Sequence, residues 1–172
     1  MMQDLKVFRT EEAREFDLIH VKKQGDVGYD LPSIVQEHIG IHQADGFALG
    51  IMPSPSMDTM PYFWLPKKQM VNIPTGIFVR MPMGYYGRLE CRSSTNQKLM
   101  ISGDSIIDEG YTGELIACIA NLSDKKIMIK HGDRLVQLVI HKKCTPNIIE
   151  VNCHDNLGIT QRNCSGFGST GN

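Results

Sequence analysis

Short apolar stretches, interrupted by Gly, Pro or Asn about every ten residues, recur along most of this chain. Within them, hydrophobic positions alternate with polar ones and β-branched residues are common, which favours strands over helices. The predicted strands lie within residues 76–82, 85–92, 113–121, 125–133 and 134–142. Because evenly spaced short strands are typical of a sandwich, barrel or jelly roll, the predicted fold class is all-β.

Three other stretches depart from this alternation. Helix is favoured only over residues 10–18 and, briefly, over residues 93–100. Residues 36–66 are irregular, with four prolines, several methionines and the single Trp64. A connection of this length in a compact domain is usually functional or disordered. We expect a surface loop or hairpin there, and its Met and aromatic content also suits a protein-docking surface.

Length and charge narrow the classes of function. The 172 residues suit one domain, and 18 Lys plus Arg against 19 Asp plus Glu give no general attraction to nucleic acid or to an anionic membrane. Five cysteines without a CxxC pair suit a reducing compartment. The N-terminal residues lack the apolar core of a signal peptide, and no apolar run is long enough to span a membrane. We therefore expect a soluble cytoplasmic protein, with neither nucleic acid nor membrane as partner.

The segment SIIDEGYTG, residues 105–113, carries the clearest candidate chemistry. Asp108 follows a short apolar strand and precedes a turn with two glycines and Tyr111. A carboxylate held at the end of a strand can take a proton from water. Asp and Gly also suit turns for structural reasons alone, so this segment by itself leaves both interpretations open.

Four further segments contain polar groups in unusual settings. GDVGYDLPS, residues 25–33, places Asp30 among turn-forming residues. Arg92, Ser93 and Ser94 start a predicted helix, where the serines serve as caps or the group binds an anion. Gln137 interrupts LVQLVI and either needs a hydrogen-bond partner or faces solvent. The Gly-rich end, residues 161–172, is a flexible tail or folds over a nucleotide, with Phe167 on the base and Arg162 on phosphate.

Taken in order, these segments resemble the five motifs of the trimeric deoxyuridine triphosphatases (dUTPases). The matching stretches are GDVGYDL, GRLECRSS, SIIDEGYTG, GDRLVQLVI and RNCSGFGSTG. The resemblance runs from about residue 20 to the C-terminus, apart from an insertion at about residues 37–62. It implies a distorted jelly-roll β-barrel with one short helix (residues 1–157), a flexible C-terminal arm (158–172) and a homotrimer with shared active sites. It also implies hydrolysis of dUTP to dUMP and pyrophosphate with Mg²⁺, which keeps uracil out of DNA and supplies dUMP for dTMP synthesis.

The resemblance also implies a role for each matching residue. Asp108 would be the general base that aims water at the α-phosphorus, and Tyr111 would pack beneath the deoxyribose. Asp30 would orient the water shell of a magnesium ion held mainly by the triphosphate. Phosphate contacts are implied for Arg92, Ser93, Ser94, Gln137 and Arg162. Phe167 would cover the uracil, and further substrate contacts are implied for Ser102, Ile106, Ile107, Ile116, Gly168 and Ser169.

The chain departs from the family pattern at several positions. Ser94 and Ser105 stand where glycine is common, and the hairpin expected to read uracil is shortened, with Ser102 near its tip in place of an amide. Two alternatives stay open. A dCTP deaminase of the same fold would need a glutamate where this chain has Cys118. A nucleotide-gated regulatory protein would use residues 36–66 to bind a partner.

Overall fold

The computed structural model describes residues 4–17, 24–35, 48–53, 59–98, 100–102, 105–158 and 160. Strands dominate this part of the chain, as the alternating pattern predicted. The strands are β1 (Lys6–Arg9), β2 (Gly28–Leu31), β3 (Ala48–Pro53), β4 (Thr59–Leu65), β5 (Met70–Arg80), β6 (Tyr85–Cys91), β7 (Met100–Ser102), β8 (Ser105–Ile107), β9 (Glu114–Asn121), β10 (Ile127–Lys130) and β11 (Val136–Lys142). The all-β prediction is confirmed.

The described strands form three antiparallel sheets. Their strand orders are β1-β5-β9-β7, β10-β4-β3 and β2-β11-β6-β8. In β9, burial alternates from Glu114 to Asn121, so Leu115, Ala117 and Ile119 face the core. This period of two is what a sheet with one covered face requires.

Asn121 is a buried polar residue that joins the ends of two sheets. Its Nδ2 donates to the carbonyl oxygens of Leu65 (3.1 Å), Pro66 (3.0 Å) and Lys125 (2.8 Å). Its Oδ1 accepts from the backbone N–H of Ser123 at 3.0 Å. These bonds satisfy a fully buried amide, which stabilises the corner at which β4 and β9 end.

Both predicted helices are shorter than expected. The described residues 10–17 contain a single 3-10 turn, Glu12–Glu15, whose buried Ala13 contacts the core. Residues 93–100 contain one α-helical turn, α1 (Ser93–Asn96), because β7 already begins at Met100. None of the helices in the part of the chain that the structure describes is long and apolar enough to cross a membrane.

The irregular stretch contains an ordered hairpin of β3 and β4, paired from Ala48↔Trp64 to Pro53↔Thr59. Strand β4 also pairs with β10, and Phe63 and Leu65 are fully buried. The sequence MPYFWL lacks clear alternation, so this core strand was missed. Residues 36–47 and 54–58, where the predicted docking surface lies in part, are outside the described residues.

Candidate active site

A cleft of about 630 Å³ opens where β2, β6 and β11 come together. The residues that line it come from three distant segments: Gly25, Asp26, Val27, Gly28, Asp30, Arg92, Ser93 and Gln137. Strand β11 lies between β2 and β6, so pairing in this sheet brings the three segments together. Asp30, Arg92, Ser93 and Gln137, each predicted from the sequence, therefore line one surface.

Asp30 and Arg92 form the charged centre of this cleft. Arg92 Nε lies 2.8 Å from Asp30 Oδ1, and the Asp30 side chain is only 14% exposed. Arg92 Nη1 also donates to the carbonyl oxygen of Arg134 at 3.2 Å. Two of the guanidinium nitrogens are thus held by the protein, which fixes the plane of the side chain.

Arg134 approaches the same carboxylate and was not among the predicted site residues. Its Nη1 lies 3.7 Å from Asp30 Oδ2, and its side chain is 43% exposed. The sequence signal was present, because Arg134 lies only three residues before Gln137 in GDRLVQLVI. Two guanidinium groups around one carboxylate make this end of the cleft suited to an anion with several oxygen atoms.

Gly28 determines where the Gln137 side chain lies. A Cβ atom at Gly28 would lie 2.6 Å from Gln137 Cδ, so only glycine leaves room for the amide. Gln137 is half-buried and faces the cleft beside its register partner Asp30. The amide is therefore on the outer face of β11, as strand alternation allowed, and it is not buried in the core.

The serines after Arg92 do not cap the helix. Arg92 itself occupies the N-cap position in an extended conformation, with no side-chain capping bond. Ser93 and Ser94 are exposed, and Ser93 lines the cleft. The capping interpretation of these serines is therefore wrong. Thr95 instead anchors the turn, because its buried hydroxyl donates to Leu135 O at 2.9 Å.

Asp108 is exposed and sits directly after β8. The residue before it, Ile107, is 7% exposed and belongs to the core cluster. The Tyr111 N–H donates to Asp108 O at 3.1 Å and closes the turn, which Gly110 completes with φ +80°. The backbone of Asp108 is thus fixed on both sides, while its carboxylate faces solvent.

The hydroxyl end of the Tyr111 ring lies against Gly113. A Cβ atom at Gly113 would be 2.6 Å from Tyr111 Cζ, so glycine is needed for this ring position. The Tyr111 hydroxyl donates to Glu114 O at 2.9 Å, and the side chain remains 41% exposed. The carboxylate of Glu114 accepts from the backbone N–H of Gly76 at 2.7 Å. Glu114, to which the Tyr111 hydroxyl is bonded, is thus also bonded to strand β5.

The two strands expected to form the uracil-reading hairpin, β7 and β8, do not pair with each other in the described part of the chain. Strand β7 pairs with β9, whereas β8 pairs with β6, so the two strands belong to different sheets. Ser102 lies on β7 opposite Ile119. Ile107 packs into the core, Ile106 is 55% exposed, and Ile116 is half-buried on β9. Each of the two strands thus forms the edge of its own sheet, with one strand partner among the described residues.

The register of β6 and β8 separates Asp108 from the cleft within one chain. Ile107 pairs with Gly87, so Asp108 lies level with Tyr86. Arg92 follows Tyr86 by six residues and lies just past the C-terminal end of β6. At a rise of about 3.3 Å per residue, this places the two residues about 20 Å apart. Arg162, Phe167, Gly168 and Ser169, the predicted tail contacts, lie outside the described residues.

The carboxylates in the cleft suit a magnesium ion that keeps several water ligands better than one coordinated entirely by protein side chains. No cluster of three or more His, Cys, Asp or Glu side chains occurs in the described part of the chain. Asp30 is already paired with two arginines, but Asp26 also lines the cleft. Mg²⁺ loses its water reluctantly and commonly keeps several waters beside one or two carboxylates and substrate phosphates. The donor set is compatible with that arrangement.

The cleft presents guanidinium, amide and hydroxyl groups where antiparallel strands meet, which places the chain among all-β proteins with a site suited to anions. The family model described as dUTPase matches residues 59–171, about two thirds of the chain. The chain belongs to the dUTPase family.

Individual relatives agree with that assignment. The deoxyuridine 5'-triphosphate nucleotidohydrolase of Arabidopsis thaliana is 39% identical over 108 residues, which cover 62% of this chain and 63% of that protein. The chain therefore aligns with slightly less than two thirds of the plant relative. The protein of the same name from Caldanaerobacter subterraneus subsp. tengcongensis is 29% identical over 170 residues, 97% of each chain.

A solved structure shows the same fold. The Staphylococcus bacteriophage 80alpha dUTPase with dUPNHPP is similar with a TM-score of 0.70, at 23% identity and 99% coverage of both chains.

Proposed function

We infer that this protein is a dUTP diphosphatase, which hydrolyses dUTP to dUMP and pyrophosphate. The observation that supports this most directly is the convergence of the first, second and fourth family motifs on one cleft. The Arg92 guanidinium and the exposed Ser93 in the cleft, with Arg134 beside the same carboxylate, suit a triphosphate. Phosphoryl transfer depends mainly on positioning and charge neutralisation, and this cleft supplies both.

The active site is proposed to be shared between copies of the chain. A general base acts within hydrogen-bond reach of the water it activates, or through one further water. Asp108 and the Arg92 cleft are about 20 Å apart along β6, so one copy alone cannot hold the phosphates and activate water at the same phosphorus. Asp108 and Tyr111 of one subunit would thus face the Arg92 cleft of another, in a homotrimer.

Surface features of the chain support such an assembly. Ile148 and Ile149, in the extended stretch after β11, are 96% and 81% exposed, and Leu157 is 67% exposed. Exposed apolar side chains that are adjacent in the chain, as Ile148 and Ile149 are, suit burial against another chain. A facing subunit would supply this apolar cover.

Each residue then has a definite task. Asp108 holds the attacking water and accepts its proton, while Arg92, Ser93 and Gln137 bind the triphosphate so that the α-phosphorus is in line with that water. Tyr111 packs beneath the sugar, where a ribose 2′-hydroxyl would be too close. Asp30 and Asp26 would orient the water shell of a Mg²⁺ ion held mainly by the triphosphate, and that ion would supply further charge neutralisation. In the tail, Arg162 would contact the γ-phosphate and Phe167 would cover the uracil.

A dCTP deaminase of the same fold is not favoured. The position that would carry its catalytic glutamate is Cys118, half-buried on β9 opposite Asn72. A thiol does not shuttle the protons that attack on the ring would require. A partner-binding role for residues 36–66 stays a prediction.

Pyrophosphate release from dUTP, dTTP, dCTP and UTP, with and without Mg²⁺, tests the function. We expect magnesium-dependent release from dUTP alone, and a loss of about 10²–10⁴-fold in kcat for Asp108→Asn. The same samples should be checked for ammonia and for dUTP or dUMP formed from dCTP. Deamination, or full activity in Asp108→Asn, would overturn the proposal.

A further inference from the structure

The residue after the candidate base has its own anchor. Glu109 Oε2 lies 3.1 Å from Lys143 Nζ, and the Glu109 side chain is only 19% exposed. The same carboxylate accepts a hydrogen bond from the backbone of Gly84. Glu109 is therefore attached to two elements other than its own turn.

Both anchoring points have hydrogen-bonded backbones. Lys143 follows β11, and its backbone N–H donates to Gly84 O at 2.8 Å, which extends the β11–β6 ladder by one bond past Lys142↔Tyr85. The Gly84 turn is closed by Tyr85 N–H donating to Pro82 O at 3.2 Å. The pair thus connects the Asp108 turn to the central strands of the sheet.

Charge and hydrogen bonding both lower the pKa of Glu109. The Lys143 ammonium, followed by the Gly84 backbone, lowers the pKa of Glu109 below its usual 4.5. The carboxylate is thus ionised across the neutral pH range and keeps its partners. Many exposed ion pairs contribute little to stability, but a carboxylate with two partners and low exposure defines the position of its backbone more closely.

Asp108 therefore lies between two fixed neighbours. On one side, Ile107 packs in the core, next to Gly87 and Leu138. On the other, Glu109 is held by Lys143. The exposed Asp108 side chain extends from this fixed backbone towards the proposed site on another subunit.

We propose that Glu109, through Lys143 and the Gly84 turn, is a positioning residue that fixes the carboxylate of Asp108 where it activates the attacking water. This rests on the proposed function, because Asp108 must be the base. Displacing a catalytic group by about 1 Å can cost about 10²-fold in rate. Removal of the anchor should therefore lower kcat and leave substrate binding, which involves other strands, almost unchanged.

The variants Glu109→Ala and Lys143→Met test this in the intact protein. We expect each to lower kcat for dUTP about 10- to 100-fold with less than about a threefold change in KM. The double variant should be no worse than either single variant, and Glu109→Gln, which keeps an acceptor oxygen, should recover part of kcat. Lys142→Met is the matched control, since this exposed neighbour should leave kcat unchanged.

Hydrogen–deuterium exchange of the Tyr111 amide tests the positioning role of Glu109 independently of the proposed dUTP hydrolysis. That amide donates to Asp108 O, so its exchange reports the order of the turn whether or not dUTP is hydrolysed. Faster exchange is expected in Glu109→Ala and Lys143→Met, but not in Lys142→Met. Wild-type kcat in both anchor variants, or unchanged Tyr111 exchange, would overturn the positioning role. If the wild type does not hydrolyse dUTP but Tyr111 exchange still increases in the anchor variants, only the proposed function is overturned.

Discussion

Arg92 Nε lies 2.8 Å from Asp30 Oδ1, and this ion pair connects the first sequence motif, which contains Asp30, to the second, which contains Arg92. Asp30 belongs to β2 and Arg92 follows β6, and these strands are neighbours of β11 on opposite sides. The pair therefore spans the width of β11. It sets the direction of the guanidinium group that we propose to bind phosphate.

Arg92→Lys should weaken dUTP binding although it keeps the charge. A lysine ammonium cannot reproduce the bonds that Arg92 makes to Asp30 and to Arg134 O while also contacting phosphate. Since hydrogen bonds to charged groups contribute about 1.5–3 kcal/mol, KM should rise about 10- to 100-fold. Steady-state kinetics would measure this, with Arg80→Lys, at the exposed end of β5, as control. An unchanged KM would argue against phosphate binding by Arg92.

Two inactive variants should complement each other if the site is shared. Asp108→Asn retains the Arg92 cleft, and Arg92→Ala retains the base. When the two are mixed in equal amounts and allowed to exchange subunits, about a quarter of the sites should combine both intact residues. Pyrophosphate release should therefore recover towards that fraction of wild-type activity.

The control for this mixing experiment is Asp108→Asn combined with the double variant Arg92→Ala/Asp108→Asn, which has no intact base to offer. No recovery in the test mixture despite subunit exchange would place both residues in one chain's site. Recovery in the control would instead show that the activity does not depend on Asp108.

Gly113→Ala should reduce discrimination between dUTP and UTP. The added Cβ would contact the Tyr111 ring and displace it, and the ring is proposed to exclude the ribose 2′-hydroxyl. The ratio of kcat/KM for dUTP to that for UTP should fall, while the fold is retained. Gly110→Ala is an informative comparison, because nothing lies within 4 Å of that Cβ but φ is +80°. It should cost about 1–2 kcal/mol of stability and change selectivity less.

Glu109→Gln should lower stability only where the wild-type carboxylate is ionised. Its pKa is lower in the folded protein than the usual 4.5, chiefly because of Lys143. Such a group stabilises the fold above its unfolded pKa, and this stabilisation is lost as pH falls through the folded pKa. The difference in free energy of unfolding between wild type and Glu109→Gln should thus be complete at neutral pH and disappear as pH falls below 4.5.

Urea unfolding at a series of pH values would measure this difference. Asp124→Asn, which alters a carboxylate that is 92% exposed beside Lys68, is the surface control. A Glu109→Gln difference that persists unchanged in acid would show that the charge of Glu109 is not its cause.

Much of the fold and several site segments followed from the sequence alone. Alternation of apolar and polar residues is a local property, so the strands that contain Ile77, Leu89, Leu115 and Leu138 were found without a structure. The turn after Asp108 was likewise evident from its glycines. Strand β4 was not predicted, because apolar residues occupy every position of MPYFWL and leave no alternation to detect. The two predicted helices were longer than the single turns that the structure contains.

Only the tertiary structure decided which segments meet. The place of β11 between β2 and β6 brings Asp30, Arg92 and Gln137 to one cleft, and the pairing of β6 with β8 sends Asp108 to the far end of the same sheet. Arg134 and the Glu109–Lys143 pair likewise became visible only when distant strands were paired. The physical reason is that a strand's period is set by neighbouring residues, whereas its partner and register are set by long-range packing of the whole core.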